Sequence, residues 1–272
     1  MAGNRWEYGF KYNKTGLVDL DLFKYIFMEK SMKTIAMIPA RYAATRLPGK
    51  LMKTLGNKTI IRHTYDNTVA VGLFDEVVVV TDSELIYQEI TSNGGNAKMS
   101  TGQHESGSDR IAEAVKDMDV DIIVNVQGDE PFVQHHPMDK LLDVFKGEEG
   151  SHVQVASLMQ VLKQQEFIED VNTVKVVVDQ NMNSLLFSRS VIPYHRNKEA
   201  EVTYYQHIGV YAFRKKALLE FTKWPMTPLE VAEKIECLRY LEHGISLKMV
   251  LSDYTGIKID TPEDLERARQ II

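Results

Sequence analysis

A mostly parallel sheet with helices on both sides is the α/β fold this sequence predicts. Two observations carry the core of it. Short apolar runs at Thr34–Pro39, Glu76–Thr81 and Asp121–Gln127 alternate with segments of helical periodicity. Those runs are apolar on both faces, as strands covered by helices on two sides must be.

The elements follow in order. Thr34–Pro39 reads as the first strand, and Ala40–Lys50 as a basic loop flanked by prolines. Thr59–Val71 reads as a helix. Val77–Val80, four valines in a row, suit a strand buried on both faces. Ser83–Ser92 reads as a helix capped by Ser83 and stopped by Gly94-Gly95. Ser106–Met118 is a second helix, with Ile111, Ala112 and Val115 on one face. Val153–Val161, Val174–Asp179, Ser184–Arg189 and His207–Phe213 are β-rich, and fit either sheet extensions or an antiparallel lobe. Pro228–His243 reads as one long helix and Lys248–Leu251 as a strand. Thr261–Ile272 is a final helix, with Thr261 as N-cap, Pro262 in the first turn and Asp264 three residues after the cap.

Composition narrows the function classes. With 44% hydrophobic and 26% charged residues over 272 positions, the chain can bury a core without metals or disulfides. Basic residues number 32 and acidic ones 38, a formal charge of −6, which argues against bulk nucleic-acid or membrane-surface binding. Any basic site must be local. One cysteine, Cys237, gives neither an internal disulfide nor a zinc cluster and fits a cytoplasmic setting. No apolar run reaches membrane-spanning length. Residues 1–31 interleave aromatics with charges and read as an extension. Residues 32–272 read as a single domain with Met32 as its natural start.

Three segments carry candidate chemistry. The loop Pro39–Lys50 places Arg41, Arg46 and Lys50 directly after the first strand, where ligands of open parallel sheets sit. Forked arginines and a point-charge lysine suit a triphosphate; a solvated basic loop is the other reading. The loop matches neither the P-loop nor the dinucleotide fingerprint. In Val126–Pro131, Asp129 leaves the end of a buried strand, and Gly128 lets the backbone turn or approach a ligand. A carboxylate there suits a magnesium-bound phosphate, although Gly-Asp-Glu-Pro is also good turn chemistry. Asp260, just before the final helix, favours the helix dipole or, paired with Asp129, makes a second metal ligand. Asp117-Met-Asp119 and Asp119-Val-Asp121 have the spacing of a glycosyltransferase metal motif, but they precede the Ile122–Val126 strand and read as a turn.

Together, Pro39–Lys50, Val126–Pro131 and Ile259–Leu265 resemble the CMP-Kdo synthetase family, the 3-deoxy-manno-octulosonate (Kdo) cytidylyltransferases. His104–Arg110, Val174–Val178, Phe187–Pro193, His207–Tyr211 and Pro228–Glu230 extend the match in order, from Met32 to the C-terminus. The resemblance implies a nucleotide-diphospho-sugar transferase fold whose small lobe completes the sugar site and a homodimer interface. It implies CTP and Kdo as substrates, CMP-Kdo and pyrophosphate as products, and Mg²⁺ as cofactor. Arg41, Arg46 and Lys50 align with its triphosphate loop, and Asp129 and Asp260 with its metal-binding aspartates. Gln127, Arg189, His207, Tyr211 and Glu236 align with its sugar pocket, and Arg110 and Gln127 lie by the nucleotide. From the residues alone, Arg189 has Glu166 or Glu169 as a possible ionic partner. His207 and Tyr211, four apart, share a strand face. Two positions depart from the family: Ala44 stands where serine is common, and Cys237 where glutamine is common.

Overall fold

Strands, in chain order, are β1 (Thr34–Ala40), β2 (Thr54–Leu55), β3 (Lys58–Thr59), β4 (Glu76–Thr81), β5 (Ala97–Met99), β6 (Ile122–Asn125), β7 (Val155–Leu162), β8 (Lys175–Val178), β9 (Ser184–Ser188), β10 (Tyr204–Arg214) and β11 (Lys248–Leu251). Helices are α1 (Ile60–Ala70), α2 (Glu84–Thr91), α3 (Gly107–Val115), α4 (His135–Asp143), α5 (Gly147–Gly150), α6 (Gln165–Glu169), α7 (Lys215–Phe221), α8 (Pro228–Glu233), α9 (Leu238–Glu242) and α10 (Pro262–Arg269). The structure is a computed structural model and describes residues 32–43, 47–102, 104, 106–253 and 256–272. Residues 1–31, Ala44 and Arg46 lie outside the described residues. Lys33–Ile272 packs as one compact unit.

The main sheet runs β11-β7-β10-β6-β1-β4-β5. Strands β5, β4, β1 and β6 are mutually parallel, as are β7 and β11, and β10 runs antiparallel between β6 and β7. One reversed strand therefore sits in an otherwise parallel sheet. Val79, Val80, Ile35, Met37 and Ile123 are fully buried, as strands apolar on both faces require. The β-rich middle resolves into both readings at once. β7 and β10 extend the sheet, while the antiparallel pair β8–β9 branches from the first half of β10.

Two expectations are corrected. The stretch 228–243 is not one helix: α8 ends at Lys234, which adopts a left-handed φ of 54°, and α9 starts at Leu238. The break buries Ile235 and Cys237 and turns Glu236 toward the cleft described below. Ser83 occupies the cap position of α2, but its side chain makes no capping bond; instead Thr81 Oγ1 accepts from Ser83 N. Asp119 and Asp121 form the turn before β6, where Asp121 accepts from Lys33 N at 2.9 Å.

Candidate active site

β1, β4 and β6 end side by side, with Ala40 paired to Thr81 and Met37 to Asn125. The loops that follow them carry Arg41, Asp82 and Gln127–Asp129, so three strand ends deliver these side chains to one edge. Gly128 borders the first cavity described below and is also needed there for close packing against protein. A Cβ at this position would meet Leu51 Cδ1 and Pro39 O at 3.2 Å and Ile61 Cδ1 at 3.3 Å. Thr64 Oγ1 donates to Gly128 O at 2.9 Å and holds the loop on α1. Asp129 is thereby fixed from below.

Asp260 reaches the same point from the other end of the chain. Asp264, at the third position of α10, accepts from Thr261 N at 2.9 Å and from Asp260 N at 3.0 Å. Ile259 N donates to Asp129 O at 3.0 Å and ties the two loops together. The two carboxylates converge on Lys50: its Nζ lies 2.6 Å from Asp129 Oδ2 and 2.8 Å from Asp260 Oδ1. Lys258 Nζ stands 3.9 and 3.7 Å from the same aspartates. Lys258 was not singled out in the sequence, although it lies two residues before Asp260 in the same motif.

Cavities share walls along this edge. One of about 300 Å³ is lined by Arg41, Lys50, Gln127, Asp129, Lys258 and Asp260. A second, about 260 Å³, shares Arg41 and Gln127 and adds Arg110 and Glu236. A third, about 630 Å³, lies over Tyr42, Asp82 and Leu85. A fourth, about 710 Å³, shares Asp260 and Lys258 with the first and Glu236 with the second, and is lined by Arg189, His207 and Tyr211. Every site residue expected from the sequence and among the described residues therefore borders the first, second or fourth of these adjoining cavities. Arg46 falls outside the described residues.

Local chemistry separates the cavities. Arg110 is buried and donates to Ser100 Oγ and, at 2.7 Å, to Asp82 Oδ2; it anchors Asp82, which the sequence reading missed. Beside it, the Thr101 backbone N–H, assisted by Gly102 N and His104, holds the Glu113 carboxyl down to about 2. Arg189 pairs with neither Glu166 nor Glu169. Its N–H groups donate to Glu233 O at 2.7 Å and Val171 O at 2.9 Å, and its backbone N to Glu233 Oε2 at 3.0 Å. It thus ties the α8 end to the lobe while facing the fourth cavity. Burial pushes the Glu236 carboxyl above its ordinary range and the Tyr211 phenol well above its own. Burial, reinforced by Lys258, pushes His207 down to about 3.

A strand bulge shapes this wall. Ile208 pairs with Leu158 but Tyr211 with Ser157, so Gly209 and Val210 are extra residues in β10. Residues four apart on a regular strand are separated by about 13 Å, whereas the His207 and Tyr211 rings lie 5.4 Å apart. The glycine inside a strand pattern was the available signal.

Two carboxylates from separate segments, sharing one cation, form an all-oxygen donor set. Among the described residues no group of three or more His, Cys, Asp or Glu side chains could hold a metal. Two carboxylates fit an ion such as Mg²⁺, which completes its shell with phosphate and water.

Comparison with known proteins bears on this cleft. The family model described as cytidylyltransferase matches residues 35–250. A 3-deoxy-manno-octulosonate cytidylyltransferase of Flavobacterium johnsoniae is 59% identical, over 89% of this chain and 99% of that protein. One of Christiangramia forsetii is 54% identical, over 88% and 97%. A solved CMP:2-keto-3-deoxy-manno-octonic acid synthetase complexed with CTP superposes with a TM-score of 0.83 at 37% identity, over 88% of this chain and 98% of that one. A 4-diphosphocytidyl-2C-methyl-D-erythritol synthase of Anaerococcus prevotii, at TM-score 0.56 and 19% identity, shares the fold alone.

Proposed function

Since this chain belongs to the cytidylyltransferase family, and within it to the 3-deoxy-manno-octulosonate cytidylyltransferases, we propose that it transfers CMP from CTP to the anomeric hydroxyl of Kdo. The products are CMP-Kdo, for lipopolysaccharide biosynthesis, and pyrophosphate. One observation carries the reading: the cationic cavity and the sugar-sized cavity meet at Asp260 and Lys258, so a phosphate in one faces a hydroxyl in the other.

Arg41 and Lys50 border the first cavity and neutralise the triphosphate and the leaving pyrophosphate, the usual protein contribution to such transfers. Arg46 is assigned to the same task by its motif. Arg110 and Gln127 border the nucleotide side. In the fourth cavity, Arg189, Lys234 and Lys258 supply the positive charge an acid sugar requires. Gln127, His207, Tyr211 and Glu236 supply the polar contacts for its hydroxyls. Holding both reactants at one junction converts a bimolecular step into a positioned one.

Asp129 and Asp260 hold Mg²⁺ in this proposal. Bound there, the ion neutralises phosphate charge and lowers the pKa of a nearby hydroxyl. The protein acts as a homodimer in the cytoplasm. Leu185 and Tyr194, 61% and 84% exposed on or beside the β8–β9 lobe, support a partner surface, which sizing chromatography tests. The buried free Cys237 suits a reducing compartment.

The experiment is pyrophosphate release from CTP and Kdo with Mg²⁺, against no-sugar and EDTA controls. Release that needs both sugar and metal is expected. Release only with another acid sugar moves the substrate and keeps the chemistry. No release with any sugar overturns the transferase reading.

A further inference from the structure

His207 is held by a serine whose own proton is already committed. Ser157 is fully buried. Its Oγ has three polar neighbours: Val210 O at 2.8 Å, His207 Nε2 at 3.0 Å and Ile208 O at 3.1 Å. The β10 bulge brings those two carbonyls to one hydroxyl: Ile208 is the last paired residue before it and Val210 lies within it. A serine hydroxyl has one proton, and carbonyl oxygens only accept. Were the O–H turned to Nε2, both carbonyl oxygens would press lone pairs against the Oγ lone pairs with no proton between. The proton therefore goes to a carbonyl, and Nε2 must be the donor to Oγ. A charged imidazolium would also donate there, but burial and Lys258 keep the ring neutral at pH 7. A neutral ring with its proton on Nε2 has a bare lone pair on Nδ1. Edge contacts with Phe187, at 4.9 Å, and Tyr211, at 5.4 Å, fix the ring plane.

We propose that Ser157 is a positioning residue that locks His207 as the Nε2–H tautomer, so that Nδ1 accepts a hydrogen bond from a hydroxyl of the sugar. This rests on the assignment of the fourth cavity to the sugar. The chemistry gives the arrangement a purpose. Arg189, Lys234 and Lys258 on the same cavity are donors only. A neutral acceptor lets a sugar hydroxyl give its proton to Nδ1 and offer its lone pairs to those cations. Sequence periodicity had no access to this, since Ser157 is an ordinary inward-facing position of β7.

The test uses the full chain labelled with ¹⁵N-histidine, read by long-range ¹H–¹⁵N correlation at pH 7 without substrate. His207 is expected to show a protonated Nε2 and an unprotonated Nδ1. A protonated Nδ1, alone or with Nε2, overturns the proposal. In Ser157→Ala, mixed tautomers are expected, with KM for Kdo raised about fivefold, the value of one hydrogen bond, and KM for CTP unchanged. Ser157→Thr keeps the hydroxyl and should keep the Nε2–H signal and the KM for Kdo. An alanine variant with wild-type tautomer and wild-type KM overturns the positioning role. A wild-type protein that turns over no sugar overturns the proposed function instead, and the substrate-free spectrum tells the two failures apart.

Discussion

Replacing Lys50 with methionine removes the ammonium nearest to both Asp129 and Asp260. The two carboxylate oxygens lie 2.6 and 2.8 Å from one nitrogen, so they are at most about 5.4 Å apart. At an effective dielectric constant of about 20, two unit charges at that distance repel by about 3 kcal/mol. The side chains of Lys50 and Asp129 are 13% exposed and that of Asp260 23%, so solvent screens this only in part. Lys258, more distant and half-exposed, offsets some of the repulsion. The expected net loss is about 2 kcal/mol, or a fall of about 4–8 °C in melting temperature for a unit of this size. A divalent cation that binds the folded pair should recover stability by linkage. The recovery should be larger in the variant, where no ammonium competes. Thermal unfolding of both proteins in EDTA and in millimolar MgCl₂ measures this. Equal melting temperatures in EDTA would refute the shared-cation reasoning, as would an equal rise on adding Mg²⁺.

Three further outcomes follow from the packing. His207 takes a proton near 6.5 when unfolded but only near 3 in the fold. The unfolded state thus binds that proton first, and stability falls as pH drops from about 6.5 toward 3. In urea melts at pH 7 and 4.5, His207→Gln should lose about 2–3 kcal/mol less on acidification than the wild type. Arg239 and Glu230 form a buried two-bond pair, at 2.6 and 2.7 Å, with the guanidinium 4.2 Å from the Phe221 ring centre. Arg239→Met alone should cost about 3–5 kcal/mol in denaturant melts by stranding Glu230, and adding Glu230→Leu should restore much of it. Gly128→Ala forces a methyl to 3.2 Å from Leu51 and Pro39. It should cost about 1–3 kcal/mol and lower pyrophosphate release by displacing the adjacent Asp129.

The phosphate side of the cleft was legible in the sequence because it is made of regular parts. Strand ends announce themselves where an apolar run stops, and Pro39, Thr81 and Val126 mark those stops. Asp260 could be placed because the Thr261–Asp264 capping box fixes where α10 begins. Partners brought together over long separations left no local trace. Arg110 holding Asp82 and Arg189 tied to Glu233 depend on which loops the sheet order makes neighbours, and neither charge pattern nor spacing encodes that. Glu166 and Glu169, open in the sequence as alternative partners for Arg189, do not take that place for the same reason.

The sugar side resisted prediction for a different physical reason, and two departures from regular structure there point the same way. A continuous helix over 228–243 satisfied the apolar periodicity, yet the chain breaks at Lys234 into a left-handed conformation that costs a non-glycine residue about 1 kcal/mol or more. A regular β10 satisfied strand alternation, yet Gly209 and Val210 bulge out of register. Each departure gives up local regularity, and each is compensated by bonds that cross the cavity wall. Lys234 O accepts from Arg189; Ser157 takes up the bulge carbonyls. Irregular backbone held by tertiary bonds is where sequence rules fail and where sites are built. If the bulge exists to set the Ile208 and Val210 carbonyls on Ser157 and so to position His207, then deleting Gly209 and Val210 together should leave the register of β10 with β7 intact, since the side-chain parity is unchanged by two residues. Such a variant should fold, as circular dichroism would show, and bind CTP normally while losing saturation by the sugar. Loss of CTP binding as well would mean that the bulge serves the sheet and not the cavity.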